Sequence, residues 1–206
     1  MTDTKEQILM TSLKLFAKDG YEAVSVSDIA GELGITKGAL YKHYKNKRDI
    51  FESIIERMYQ VDAQRAREHE VPEEKYEDRP EAYENISADS IKSFAVSQFM
   101  FWTEDVFASN FRKMLTLEQY RSKEMSELYQ SCLTLGPVAY MEDIFRQMIA
   151  EGILKKAEPK QLAVEFFSPL YLLINASDAS EDKKIYTGIL NNHIERFFEQ
   201  NTAAHS

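Results

Sequence analysis

The chain is poor in the residues that staple and punctuate a fold. It has one cysteine, Cys132, in 206 residues, which excludes an internal disulfide framework and any paired-cysteine metal knuckle. Only 7 glycines and 5 prolines are present. Set against abundant Glu, Lys, Leu, Ala, Met and Gln, whose side chains lose little freedom on a helix, that shortage favours an all-α fold over a strand-and-turn architecture. No run approaches the roughly 18 apolar residues that a membrane-spanning helix needs, and the opening MTDTKEQILM lacks the apolar stretch of a signal peptide. A cytoplasmic protein without membrane contact is expected. The 4 histidines and the lone cysteine share no ligand spacing, so no metal and no cofactor is expected; His69 and His205 read as loop or tail. Nor is there a nucleophile–base pair or a phosphate loop to support an enzyme.

What is present is charge, unevenly spread. The formal net charge is -9, yet residues 1–50 hold eight bases and seven acids, which leaves the other 156 residues at -10. From Ile35 to Arg48 the run ITKGALYKHYKNKR carries five bases and no acid. An acidic protein repels a polyanion, so any nucleic-acid contact is expected on this run.

Capping pairs and apolar periodicity mark the helices. Asp3 with Glu6 opens a first helix that Gly20 ends, and Ser25 with Asp28 opens a second that stops at Gly34. Thr36 caps a third over about Lys37 to His43. Two short helices around the Gly34-Ile35-Thr36 turn form a helix-turn-helix, spanning Ser25 to Tyr44. Asn46 with Asp49 opens a long fourth helix, to about Glu68, with Phe51, Ile54, Ile55, Met58 and Tyr59 as its stripe. Residues 68–84, with eight acids, two bases and two prolines, read as a solvated loop or frayed helix end. Beyond it the stripes Ile91 to Val106, Phe111 to Leu115, Met125 to Cys132 and Met141 to Ile149 predict helices, with Gly136-Pro137 as a break. A strongly apolar helix follows from Pro159 to Ala176, which Pro169 is expected to kink or divide. The last helix carries Ile185, Ile189, Leu190, Ile194, Phe197 and Phe198. About nine helices in two domains are expected: residues 1–46, and residues 47–206 with helix four as connector and an acidic loop at about 69–86.

The second helix of a helix-turn-helix lies in the major groove, where small or extended side chains let the backbone approach base edges. Thr36, Lys37, Gly38 and Ala39 meet that requirement as base readers: lysine donates to guanine, threonine to either base type, and alanine touches a thymine methyl. Tyr41, Lys42, His43 and Tyr44 supply donors suited to phosphate oxygens, as do Ser25 at the head of the first helix and Lys47 in the first turn of helix four. The bland reading makes the tyrosines core and the lysines an ordinary solvated face.

From Ile8 to Phe51 the sequence resembles the DNA-binding domain of TetR/AcrR-family transcriptional repressors. The resemblance runs through the Leu-Phe and glycine of helix one, Ser25-Val-x-x-Ile-Ala, Gly34-Ile35-Thr36-x-Gly38, Leu40-Tyr41-x-His43-Tyr44 and Lys47. Tyr44 stands where the family usually has phenylalanine, Ile35-Thr36 where Val-Ser is common, and Gly31 interrupts helix two. The resemblance implies a two-domain, all-helical homodimer that binds near-palindromic operator DNA and releases it when a small molecule occupies the C-terminal domain. It also implies dimerisation through the last two helices, whose apolar faces are too wide for one neighbour; Phe166, Leu170, Leu173, Ile174, Ile189, Ile194 and Phe197 are the expected interface.

An effector pocket, for a lipophilic or aromatic molecule, is expected among Phe94, Phe99, Trp102, Met114, Glu118, Tyr120, Tyr129 and Tyr140, although most such residues serve simply as core. Cys132 reads as a small buried hydrophobe and His193 as a satisfied interface histidine. The alternatives are a helical carrier or enzyme without DNA function, or a DNA-binding regulator with no effector.

Overall fold

The computed structural model describes residues 3–203; His205 lies outside them. These residues form α-helices joined by turns, two short 3-10 segments and one isolated antiparallel bridge, Leu154 to Thr202: α1 (Thr4–Asp19), α2 (Val26–Glu32), α3 (Lys37–Leu40), α4 (Lys47–Glu68), α5 (Ala88–Glu104), α6 (Val106–Glu118), α7 (Lys123–Leu133), α8 (Leu135–Ala150), α9 (Pro159–Ala176) and α10 (Lys184–Asn201). The fold is all-α, with a helix-turn-helix near its N-terminus.

Local chemistry accounts for the ends of the short helices. Asp3 accepts the Lys5 N–H at the head of α1. Ser25 and Asp28 form a reciprocal capping box on α2, and the hydrogen bonds from Ser25 hold the Asp28 carboxyl below its ordinary pKa. At the other end, Ile35 N–H reaches Ala30 C=O and Gly34 N–H reaches Gly31 C=O, the paired bonds of a Schellman stop. Gly34 sits there at φ +64, a conformation that only glycine adopts without penalty. Thr36 Oγ1 then accepts Ala39 N–H at 3.1 Å and starts α3.

Gly31 does not interrupt α2, which runs through it to Glu32. A Cβ added there would meet nothing within 4 Å. Gly31→Ala is therefore expected to stabilise the protein by about 0.5–1 kcal/mol, because alanine costs less entropy in a helix; a lower melting temperature would show that the site is strained in a way its open surroundings do not reveal.

Contacts divide the chain into two compact units, Met1–Val61 with Glu104–Tyr129, and Asp62–Thr103 with Gln130–Ser206. The first boundary thus falls inside α4, beyond the expected one at residue 46. The reason is burial: Ile50, Phe51, Ile54 and Met58 of α4 and Phe107, Phe111, Met114 and Leu115 of α6 are buried with Ile8, Leu13 and Phe16 of α1. Within this unit α1 packs on α6, and the rings of Phe16, Tyr21 and Phe51 meet in sequence, edge-on and then tilted, with centroids 5.1 and 4.9 Å apart. Asp105 ends the α5 stripe early by capping α6 through Ala108 N–H at 2.8 Å, so Val106 opens a new helix and is exposed.

The second unit buries an aromatic and aliphatic core contributed chiefly by α5, α8, α9 and α10. Phe145, Phe166 and Phe197 form its centre, each within 5.4 Å of the others by ring centroid. The acidic stretch is not simply solvated. Val71, Tyr83 and Ile86 are buried in this core, Tyr83 Oη donates to Glu74 C=O at 3.0 Å, and Tyr140 Oη donates to Pro72 C=O at 2.8 Å. A few apolar anchors thus hold down a segment whose average composition is polar.

Two expected breaks lie elsewhere. Gly136 and Pro137 belong to the first turn of α8, where a missing N–H costs nothing; the break is the single residue Thr134. Pro169 does not divide α9, which is helical from end to end.

Candidate nucleic-acid interface

The first unit presents α3 and the first turn of α4 in one short stretch of chain. Thr36, Lys37 and Gly38 are exposed and Ala39 is half-buried, with Thr36 serving as the cap. A Cβ at Gly38 would come no closer than 3.9 Å to any atom, Thr36 Oγ1 being the nearest. Leu40 is fully buried and anchors the helix while the residues before it face outward.

Among the expected phosphate donors, Tyr41 and Lys42 are exposed and His43 is half-buried. Ser25 is exposed, although its hydroxyl already serves the capping box through Asp28. Tyr44 stands apart from this group. It is 3% exposed, its Oη donates to Lys5 C=O at 3.3 Å, and burial pushes its phenol up to about 12. The phenol ring fills core space, so this residue offers no surface donor.

Lys47 is tethered. Its Nζ donates to Tyr21 C=O at 2.8 Å and Glu22 C=O at 3.4 Å, and it lies 4.3 Å from the centroid of the Tyr21 ring. An ammonium has three donors, so one remains to face outward. Asn46 Oδ1 accepts Asp49 N–H at 2.9 Å, completing the expected cap of α4. Arg48 reaches the Glu52 and Glu124 carboxylates, which raises its own pKa further and lowers that of Glu124. Neither this pair nor the backbone bond of Glu118, expected in the effector pocket, is visible in the sequence: Glu118 is buried and its Oε1 accepts Tyr21 N–H at 3.0 Å. No local pattern could have found either, because the partners are 76 and 97 residues apart.

The eight residues expected to line an effector pocket are divided between the two units. Met114, Glu118 and Tyr129 are buried in the first unit, and Tyr120 is 90% exposed there. Glu118 is spent on the Tyr21 backbone rather than free for a ligand. Phe94, Phe99, Trp102 and Tyr140 belong to the second unit, where Phe94 and Tyr140 lie 6.2 Å apart by ring centroid.

The expected subunit contacts also need reassignment. Phe166, Leu170, Leu173, Ile174, Ile194 and Phe197 are buried within the protomer itself; of that set only Ile189 is exposed. The apolar surface that α9 and α10 leave uncovered is instead Val164, Leu172, Ile185 and Ile189. Periodicity finds apolar positions without saying which of two faces the same chain will cover. His193 Nε2 lies 3.1 Å from Phe166 C=O, a satisfied histidine among rings, and Cys132 is half-buried.

Residues 8–54 match the family described as bacterial regulatory proteins, tetR family. The chain is 46% identical over 56 residues to the uncharacterized HTH-type transcriptional regulator YerO of Bacillus subtilis, covering 27% of this chain and 19% of that one. It is 41% identical over 54 residues to the HTH-type transcriptional regulator AcrR of Shigella flexneri, covering 26% and 25%. The matches to these relatives thus span a quarter or less of their length. Across the whole chain the fold resembles that of SmeT of Stenotrophomonas maltophilia in its triclosan complex, with TM-score 0.67, 19% identity, and coverage of 97% of this chain and 91% of that one. A regulator from Saccharomonospora viridis in complex with choline gives TM-score 0.67 at 17% identity, with both chains covered fully. Through residues 8–54 the chain matches the TetR family of bacterial regulatory proteins, and its overall fold is the all-helical one of the solved regulators above.

Proposed function

We propose that the protein is a sequence-specific DNA-binding transcriptional regulator, a repressor that binds a near-palindromic operator as a homodimer. The observation that carries this reading is the pairing of α2 and α3 through a glycine stop, with Thr36 to Gly38 exposed on a run of five bases and no acid in a chain of net charge -9. Thr36, Lys37 and Ala39 read bases, Gly38 admits the backbone, and Ser25, Tyr41, Lys42, His43 and the outward donor of Lys47 hold phosphates. A homodimer on such an operator spaces its two α3 helices about 34–36 Å apart, one helical turn of DNA, and the exposed Val164, Leu172, Ile185 and Ile189 are the surface assigned to its subunit contact.

A small lipophilic or aromatic effector releases the operator. The names of the structural neighbours support this part: SmeT is described with triclosan and the Saccharomonospora viridis regulator with choline. Phe94, Trp102 and Tyr140 give the second unit an aromatic wall of suitable chemistry.

A mobility-shift assay on operator duplexes selected from random sequence tests the reading. Log affinity should fall with log salt at about 0.9 per phosphate neutralised. Lys37→Ala should change which base is preferred. Lys42→Ala, an exposed cation outside the folded core, should weaken every sequence alike and flatten the salt slope by about 0.9 per protomer. Equal weakening by both substitutions on all sequences would refute the division of roles, and failure to select any duplex would refute DNA binding.

A further inference from the structure

The turn between α6 and α7 lies beside the proposed interface, and none of the contacts described so far uses it. Tyr120 is 90% exposed, and Arg121, Ser122 and Lys123 are open to solvent. An aromatic residue so fully in water, next to two cations, is unusual in a protein whose remaining surface is acidic.

Of the carboxylates that bracket this turn, Glu118 is buried and Glu124, exposed, is ion-paired. Glu118 is 2% exposed and accepts Tyr21 N–H. Glu124 is held by the Arg48 guanidinium. Residues 119–123 therefore present two cations, a phenol, a hydroxyl and an amide, with no acid. The Arg121 side chain has no ion-pair partner among the described residues. Lys123 meets only Glu127, at 3.5 Å, with both side chains largely exposed, a surface pair of little weight.

The same bonds fix where the turn sits. Tyr21, whose N–H is taken by Glu118, gives its C=O to Lys47. Arg48, which holds Glu124, is the next residue of α4. The turn is thus clamped on one side to the corner that precedes Ser25 and on the other to the first turn of α4. That corner leads into Ser25 and the first turn of α4 carries Lys47, both assigned to phosphates above, so a duplex held there passes close to Arg121 and Lys123.

We propose that this turn is a second backbone contact, in which Tyr120, Arg121 and Lys123 take phosphates of the duplex flanking the half-site that α3 reads. The proposal rests on the operator-binding reading above. Contacts of this kind add affinity and salt dependence without adding sequence preference.

The test uses the full chain and two duplexes with one selected operator, the first ending at the outer edge of the half-sites and the second extended by about ten base pairs, one helical turn, on each side. The variant is Arg121→Gln with Lys123→Gln, two exposed side chains whose loss should leave the melting temperature unchanged. On the extended duplex the variant is expected to show a log–log salt slope shallower by roughly 1.8 per protomer, two phosphates' worth, and at least about tenfold weaker binding at low salt. On the short duplex, variant and wild type should bind alike. An unchanged slope on the extended duplex overturns the proposal, as does an equal loss on both duplexes. A wild-type chain that binds neither duplex instead overturns the operator-binding reading beneath it.

Discussion

Gly38→Leu is expected to weaken operator binding by at least about 100-fold while leaving the fold as stable as before or more so. Glycine inside a helix costs about 1 kcal/mol relative to alanine, and leucine is among the better helix formers. The protein gives no reason to accept that cost. Gly38 is not among the residues with positive φ, and a Cβ there would meet only Thr36 Oγ1, at an ordinary 3.9 Å. Any need for an absent side chain therefore comes from outside the chain, and a base edge against the backbone supplies it. A 100-fold loss corresponds to about 2.8 kcal/mol, a plausible cost for displacing several contacts at once. Mobility shift and thermal melting, run on the same preparation, check both halves. Binding within about threefold of wild type would remove the start of α3 from the bases.

Gly136→Ala is expected to do the opposite, destabilising the protein by about 3 kcal/mol. The added Cβ would fall 1.9 Å from Ser131 O and 2.8 Å from Ser131 C. Both are backbone atoms, so no side-chain rotation relieves the overlap and the junction itself must shift. That junction has little slack, since α7 ends at Leu133, α8 begins at Leu135, and Thr134 alone turns the chain at φ -134, ψ -84. For a chain of this size the melting temperature should drop by about 6–12 °C. A drop below about 2 °C would show that the two helix ends repack freely.

These two glycines also show what a sequence can reveal. Gly38 is conspicuous because it sits in a short helix among exposed, basic residues, so its oddity is local. Gly136, next to Pro137, reads as an ordinary break, and only the approach of Ser131 shows that it is a packing requirement. The same division holds elsewhere. The caps at Ser25, Thr36 and Asn46 are legible because donor and acceptor lie three residues apart. The fates of Tyr44, Lys47 and Glu118 are not, because each is decided by a backbone group 26 to 97 residues away. The stripes on α9 and α10 were visible, but their apportioning between core and open surface depends on which neighbours arrive first. The apolar anchors within the acidic stretch are hidden for a similar reason: three buried residues carry little weight in a segment's mean composition.

The tether on Lys47 has a consequence for the rate and strength of recognition. A free lysine side chain loses close to 2 kcal/mol of rotamer entropy when it is immobilised. Lys47 has already undergone that loss on folding, because two carbonyls and a tyrosine ring hold its ammonium in place. In the proposed complex its remaining donor meets a phosphate without further ordering, whereas Lys42 must be ordered by the DNA itself. One cation is part of the mould and the other is shaped on contact, so neighbouring lysines of equal charge contribute unequally to the complex.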